Sequence, residues 1–337
     1  MWEDHTTLFL SGGGLKVASF IGCLEVLEMS VFEEVYGLSA GSLIACLLAA
    51  GQSVAQIRDK FLRTPWSNIF FEACSLSRIL VGRAPLDGRK LRSLIEAWLL
   101  ESGVPKGCTL AWLAKNRRMR FGCFAVDLAM GQVVFFQASN YPNAKLLDVV
   151  MASAALPGVL DPVRVEGKMY VDLGISNNAP LSFLKPMPGK KVLALVVNTQ
   201  ALHLKELMES PAIPLLLKCS FLTRAEILSV DPEKITVLEM PMTPESVHLL
   251  KVSSEDMLSL IRQGRVAVFS RLMKRELAGL SVLFSHVVFA ATDARTSAPC
   301  NGGRSRLCVE ESFAARVFTR GRAMACAALE TLRTVVR

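Results

Sequence analysis

Histidine is scarce in this chain: the 337 residues include four, at positions 5, 203, 248 and 286. A nucleophile that depends on a histidine base therefore has few partners to choose from. Nine cysteines are present (23, 46, 74, 108, 123, 219, 300, 308 and 326), but no two form a CxxC pair and their number is odd. That excludes a complete disulfide framework and fits a reducing, intracellular setting, with each thiol acting as a small buried apolar group. Long hydrophobic runs are missing too. Leu280 to Ala291 is broken by Ser281, Ser285 and His286, and falls short of the roughly 20 residues a spanning helix requires. The first residues, Met1-Trp2-Glu3-Asp4-His5, are acidic where a secretory signal is basic, so no cleavable signal is expected. Neither internal repeats nor low-complexity segments occur. The expected location is cytoplasmic, at a membrane periphery and not across it.

What remains is a composition suited to a large core. Apolar residues make up 51% and charged residues 20%, which places the chain among compact proteins of one large α/β domain or two smaller ones. Lys and Arg exceed Asp and Glu by 38 to 30, a net charge of +8. Such a balance favours an anionic partner. Arg117-Arg118-Met119-Arg120 and the Arg-rich tail are the only clusters, and neither carries interleaved aromatics or a nucleic-acid motif. A membrane surface is thus the expected partner, and nucleic acid is not.

Strand and helix patterns alternate from the start. Residues 7–10 read as a buried strand, followed by Ser11-Gly12-Gly13-Gly14 and a periodic helix from Leu15 to Glu28. Glu34 to Tyr36 reads as a second strand, running into Gly37-Leu38-Ser39-Ala40-Gly41 and a small-residue helix to Ala50, with Gly51 as its C′ residue. The region 53–107 is mostly helical, with Leu86-Asp87-Gly88 opening an amphipathic helix. Phe121–Val126 and Gln132–Gln137 form a strand pair around Gly131, and Lys145–Ala155 is helix. Val163–Val165 and Lys168–Val171 are short strands, the second delivering Asp172 into a loop. Lys191–Asn198 is a continuous apolar strand of the kind buried in a parallel sheet. Ile235–Glu239 is a further strand and Ser254–Glu276 a long helix. Residues 5–275 are expected to form the main domain and 276–337 a C-terminal extension.

Two of these strand-to-helix junctions carry chemistry. In Gly37-Leu38-Ser39-Ala40-Gly41 the flanking glycines allow a sharp turn that exposes the Ser39 hydroxyl at a helix N-terminus. There the free N–H groups and the helix dipole stabilise an oxyanion. Gly12-Gly13-Gly14 presents successive N–H groups unobstructed by side chains, suited to an oxyanion hole, and Lys16 adds positive charge. As a phosphate-cradling loop it departs from G-x-G-x-x-G, with Val at position 17, and lacks a following G-K-[ST]. A plain glycine turn is the bland alternative. For the base, His203 and His248 are available in the Ser-Asp-His chain order. Asp172, at a strand end before a glycine-containing loop, acts directly on the serine in a second scheme, with Asp127 as the competing carboxylate.

Taken together the segments resemble the patatin-like phospholipase family. Ser11-Gly12-Gly13-Gly14-Leu15-Lys16 is similar to its glycine-rich oxyanion segment, and Gly37-Leu38-Ser39-Ala40-Gly41-Ser42 to its nucleophile elbow. Ala152-Ser153-Ala154-Ala155-Leu156-Pro157 resembles its Ala-Ser-x-Ala-x-Pro block, and Tyr170-Val171-Asp172-Leu173-Gly174 stands at its DGG/DGA box. The order agrees throughout, and the resemblance covers about residues 5 to 275.

The resemblance implies a three-layer α/β/α sandwich around a mainly parallel sheet, and a Ser-Asp dyad that cleaves lipid acyl esters without histidine, metal or organic cofactor. Ser39 is then the nucleophile and Asp172 the base. Gly12, Gly13, Gly14 and Ala40 form the oxyanion hole, Gly37 and Gly41 shape the elbow, and Lys16 and Gly174 support the site. The expected substrate is a lipid ester at a membrane or lipid-droplet surface, cleaved by a phospholipase A or lysophospholipase type of reaction. Trp66, Ile69, Phe70 and Phe71 are candidates for insertion into that surface, with membership of the core as the equal alternative. One departure stands out: Leu173 follows the Asp where the family has Gly, and a positive φ there would strain it. It is the best sequence argument for the alternative, a non-catalytic patatin-fold protein that binds lipid or protein. A neutral-lipid lipase or acyltransferase and, last, a nucleotide-binding protein complete the alternatives.

Overall fold

The computed structural model describes residues 4–70, 76–184, 190–197, 231–240 and 253–273. In chain order the strands are β1 (His5–Leu10), β2 (Glu34–Leu38), β3 (Arg120–Asp127), β4 (Gln132–Gln137), β5 (Val163–Val165), β6 (Lys168–Val171), β7 (Lys191–Val197) and β8 (Ile235–Met240). The α-helices are α1 (Ala18–Leu24), α2 (Ala40–Ala49), α3 (Val54–Arg63), α4 (Trp66–Phe70), α5 (Leu76–Leu80), α6 (Arg89–Glu101), α7 (Leu110–Asn116) and α8 (Leu146–Ser153). Residues 254–273 are also helical. The chain divides into two compact units, 1–264 and 265–337, and all eight strands belong to the first. None of the described helices is long and apolar enough to cross a membrane.

The eight strands form one sheet in the order β5-β6-β3-β2-β1-β7-β8, with β4 on the free flank of β3. Pairings of β3 with β2, β2 with β1, β1 with β7 and β7 with β8 are parallel. The pairings of β4 and β6 with β3, and of β5 with β6, are antiparallel. Chain direction explains the mixture. β4 follows β3 through a turn at Gly131, whose φ is +63°, and a short turn can only join antiparallel neighbours. β5 and β6 are likewise joined at Glu166-Gly167, both with positive φ.

Both sheet faces are covered, which is why β7 is apolar from Val192 to Val197 and every residue of β1 is buried, His5 and its two threonines included. On one face α2 packs over β1, β2 and β3, and α8 over β3. The other buries Phe9, Leu38, Phe124, Val192, Ala194 and Ile235 beneath Leu173, Ala179, Leu181 and Leu184. Phe124 stacks on Phe135 at 4.4 Å and meets Phe9 edge-on at 6.1 Å. The three-layer α/β/α class expected from the sequence is the class observed.

Local chemistry sets the helix ends. Ser53 and Gln56 form a reciprocal capping box at the start of α3, and Gly51 (φ +93°) follows the end of α2. The expected helix over residues 15–28 is instead a 3₁₀ turn, Gly14–Val17, followed by the short α1. Its first bond runs from the Lys16 N–H to the Gly13 carbonyl, the tighter closure of a 3₁₀ turn.

The junction from β2 to α2 tolerates no side chain at its glycines. A Cβ on Gly41 would lie 2.3 Å from the Ser11 carbonyl oxygen and 2.4 Å from that of Leu10, and one on Gly37 would lie 2.5 Å from the Ser42 Cα. These neighbours are backbone atoms and have no rotamer by which to retreat. Gly41→Ala is expected to cost about 2 kcal/mol or more, a fall in Tm of roughly 5 °C. Thermal denaturation followed by circular dichroism measures it, with Ala40→Gly as the comparison that adds no atom.

Candidate active site

β2 and β6 share a flank of β3. β4 occupies the other, because Val126 and Asp127 pair with β4 and β6 at once. β2 accompanies β3 from Arg120 to Phe124 and stops at Leu38, while antiparallel β6 arrives from above and stops at Val171, opposite Val126. The two strands therefore end facing each other within two residues along β3. The next residue of each is Ser39 and Asp172.

Ser39 adopts φ +53° and ψ −129°, a conformation costly for any residue with a Cβ. Its surroundings hold it there. The Ser39 N–H donates to Ser153 Oγ at 3.0 Å, and the Ser39 carbonyl accepts from the Ser42 N–H at 3.0 Å and from Ser42 Oγ at 2.6 Å. With both backbone groups tied, the half-exposed side chain is aimed outward at the N-terminus of α2.

The glycine loop sits at the end of β1, next to this elbow, since Leu10 pairs with Gly37. It is fastened to β7 by the Ser11 N–H on the Leu195 carbonyl and by the Val197 N–H on Ser11 Oγ, both 3.0 Å. Gly12 is buried and lies off the cavity wall, and its N–H donates to the Asn178 carbonyl at 3.3 Å. It is thus not a free donor. What it supplies is space, for a Cβ there would lie 2.4 Å from Asn178 Oδ1. The N–H groups of Gly13, Gly14 and Ala40 make no hydrogen bond among the described residues, and all three residues line the cavity.

Asp172 is 2% exposed. Its Oδ1 accepts the Gly174 N–H at 2.7 Å, while Oδ2 has no hydrogen-bond partner among the described residues. Burial pushes the carboxyl up to about 7, against the opposing influence of the Ser39 hydroxyl and the Gly174 amide. Ser39 is near enough to stabilise the ionised form, without a hydrogen bond of ordinary geometry to Oδ2. Lys16 is buried as well, its Nζ unpartnered among the described residues, and loss of solvent lowers its ammonium to about 7.

These groups open onto one cavity with about 1170 Å³ of empty space, including its open mouth. Ser39, Asp172, Lys16, Asn178, Gly13 and Gly14 form its polar end, and Leu43, Phe61, Trp66, Ile95, Val150 and Leu160 are among its many apolar walls. It lies at the carboxyl ends of β1 and β2, beside the point where successive strands depart in opposite directions from β1. Among the described residues no three His, Cys, Asp or Glu side chains gather as a metal would require.

Several sequence expectations are settled by this geometry. Leu173 has no positive φ; it begins a 3₁₀ turn and its side chain, 2% exposed, packs in the core beneath the sheet. The departure from the family box is thereby absorbed without strain. Asp127 belongs to the β3–β4 turn, where it accepts the Ala129 and Met130 N–H groups and pairs with Lys168. Trp66, for which the sequence leaves interface and core open, belongs to the core: it is 4% exposed, packs with Phe61 and Trp98, and lines the cavity. Phe70 stacks on it and also lines the cavity; Ile69 is half-buried. His5 bonds Thr236 from β1, whereas His203, His248, His286 and Phe71 lie outside the described residues. Four cysteines, 23, 46, 108 and 123, are buried free thiols.

Two contributors escaped notice in the sequence. Ser153 holds the Ser39 amide, and Asn178 closes over the glycine loop. Ser153 stood in the Ala-Ser-Ala-Ala block, but nothing in its spacing tied it to residue 39.

A family model described as patatin-like phospholipase matches residues 8–185. A probable lipid hydrolase of Invertebrate iridescent virus 6 is 22% identical over 194 residues, 56% of this chain and 66% of that protein. A cGAMP-activated phospholipase of Pseudomonas aeruginosa is 28% identical over 223 residues, 59% of this chain and 63% of that protein. The chain thus spans somewhat less than two thirds of each relative. Full-length ExoU from the Pseudomonas aeruginosa type III secretion system, solved with SpcU, aligns at a TM-score of 0.44 and 16% identity, covering 89% of this chain and 65% of ExoU. With the family model spanning more than half of its length, and with glycine loop, elbow and Asp box converging on one cavity, the chain belongs to the patatin-like phospholipase family.

Proposed function

We propose that the protein is a lipid acyl hydrolase of the phospholipase A or lysophospholipase type, working through a Ser39–Asp172 dyad and an acyl-enzyme. The observation that carries this reading is the pairing, at the polar end of an apolar cavity, of a strained serine with a buried carboxylate whose Oδ2 lacks a partner among the described residues. Apolar walls of this kind suit an acyl chain, and the polar end then receives the ester.

In the proposed reaction Asp172 Oδ2 takes the proton as Ser39 Oγ attacks the ester carbonyl carbon. The carbonyl oxygen becomes an oxyanion, held by the N–H groups of Gly13, Gly14 and Ala40. Collapse of this intermediate breaks the ester C–O bond, and Asp172 returns its proton to the departing alcohol. Water, deprotonated by Asp172, then attacks the acyl-enzyme, releasing the fatty acid and restoring Ser39. The Lys16 ammonium favours a substrate with an anionic group, because a phosphate beside it would supply the acceptor it lacks among the described residues.

A carboxyl lifted to about 7 makes the base protonated, and idle, in acid. Turnover of a soluble short-chain ester should rise with pH through about 7, falling close to tenfold per unit below it. A flat profile between pH 5 and 8 would remove Asp172 as the base. A fluorophosphonate probe should label the wild type and leave Ser39→Ala unlabelled; equal labelling of the two sinks the nucleophile assignment.

Asp172→Asn should reduce turnover by about 10³-fold or more while stabilising the fold. The folded state holds the Asp172 proton more tightly than the unfolded chain does, whose ordinary value is 3.8. Its contribution to stability is complete below that value and lost as pH rises through about 7. The uncharged Asn escapes this loss. Its Tm advantage over wild type should be greatest near pH 8 and vanish near pH 4, as scanning calorimetry at the two pH values would show.

A further inference from the structure

Resting on the proposed lipid-ester reading, we propose that the turn presenting Leu80 and Val81 is the element by which the protein docks on an anionic lipid bilayer. Leu80 is 86% exposed and Val81 72%, the two most exposed large apolar side chains among the described residues. They are adjacent, and they stand at the tip of a hydrogen-bonded turn. The Val81 and Arg83 N–H groups both donate to the Arg78 carbonyl, at 3.2 and 2.9 Å, and Gly82 between them has φ +73°. Arg78 fastens the base of the turn: its Nε donates to the Ala84 carbonyl at 3.0 Å and its guanidinium pairs with Asp161.

That anchorage places the tip beside the cavity. The Leu86 N–H donates to the Val159 carbonyl and the Asp161 N–H to the Leu86 carbonyl, so the segment after the tip is bridged to Val159 and Leu160, both cavity walls. A lipid whose headgroup plane contacted the tip would thus lie near the wall it must pass.

Charge identifies the occupant. Residues 78–92 contain five basic residues and one acidic. Arg78, Arg89 and Arg92 pair with Asp161, Asp87 and Asp148, and Lys90 Nζ donates to the Asn68 carbonyl; Arg83, Arg89 and Lys90 are nevertheless exposed to solvent. Two exposed aliphatic side chains in a segment with an excess of exposed cations suit a surface that is apolar within and anionic outside, which is the profile of an anionic leaflet. Trp66 and Phe70 face the cavity and are left to the acyl chain.

The test is co-sedimentation with vesicles of three parts phosphatidylcholine to one part phosphatidylserine. Leu80→Glu/Val81→Glu replaces exposed side chains and should keep the wild-type circular dichroism spectrum. It should lower vesicle partitioning at least about tenfold while hydrolysing a soluble short-chain ester at the wild-type rate. Leu100→Glu is the control. Leu100 is 50% exposed on α6, about 16 Å along that helix from Arg89, and the change should leave partitioning unaltered. Wild-type partitioning should also fall on pure phosphatidylcholine and in high salt. Equal partitioning of the double variant and the wild type overturns the proposal. So does a wild type that ignores vesicles and whose dimerisation, by light scattering, is abolished in the double variant. If no form hydrolyses the ester but partitioning still depends on the tip, the docking surface stands and the proposed function falls.

Discussion

β3 outlasts its neighbour. It has eight residues to the five of β2, and the unpaired length left on that flank is taken up by β6 coming from the opposite direction. Backbone hydrogen bonding alone then dictates that the end of β2 and the end of β6 confront each other, because two strands on one flank cannot overlap. The rest of the site depends on this constraint. The elbow, the carboxylate and, one strand further, the glycine loop are brought together by ladder register and not by any direct bond between their side chains.

Burial gives these residues their chemical character. Asp172 in water would be an ordinary weak base, and Lys16 an ordinary surface cation; out of water both move to about 7. Neither is neutralised by a close partner among the described residues, an arrangement that a protein retains at the expense of stability. Ser39 stores strain of another kind. Its backbone is held by Ser42 from the following helix and by Ser153 from α8, so the elbow is clamped from two layers at once. Leu173 then anchors the Asp box from below by filling the core under the sheet, where a glycine would have left space.

Much of this was legible in one dimension. Every expected strand that falls on described residues appears within two residues of its expected ends, since apolar runs punctuated by Gly, Pro and Asp report strand length directly. The small-residue helix after Ser39 and its Gly51 stop were readable for similar local reasons. The first helix differs from its periodicity because periodicity counts apolar positions and does not register the 3₁₀ closure of its opening turn at Gly14–Val17. The sequence leaves Trp66 undecided between bilayer and core for a related reason. An aromatic pattern looks alike whether it faces a bilayer or a cavity, and only the packing of Phe61 and Trp98 around it distinguishes the two.

The chain's order of glycine loop, Gly-x-Ser-x-Gly and Asp box determined the family and the identity of the residues to be brought together. These are local requirements: a turn without Cβ atoms, a hydroxyl at a helix start, a carboxylate at a strand end. Which glycine keeps a free amide, whether Leu173 is strained, and how far Asp172 is removed from water were decided only in three dimensions. Each depends on groups distant in the chain, on Asn178, on the sheet's lower core and on the walls of the cavity, and burial and hydrogen bonding across such separations leave no trace in spacing.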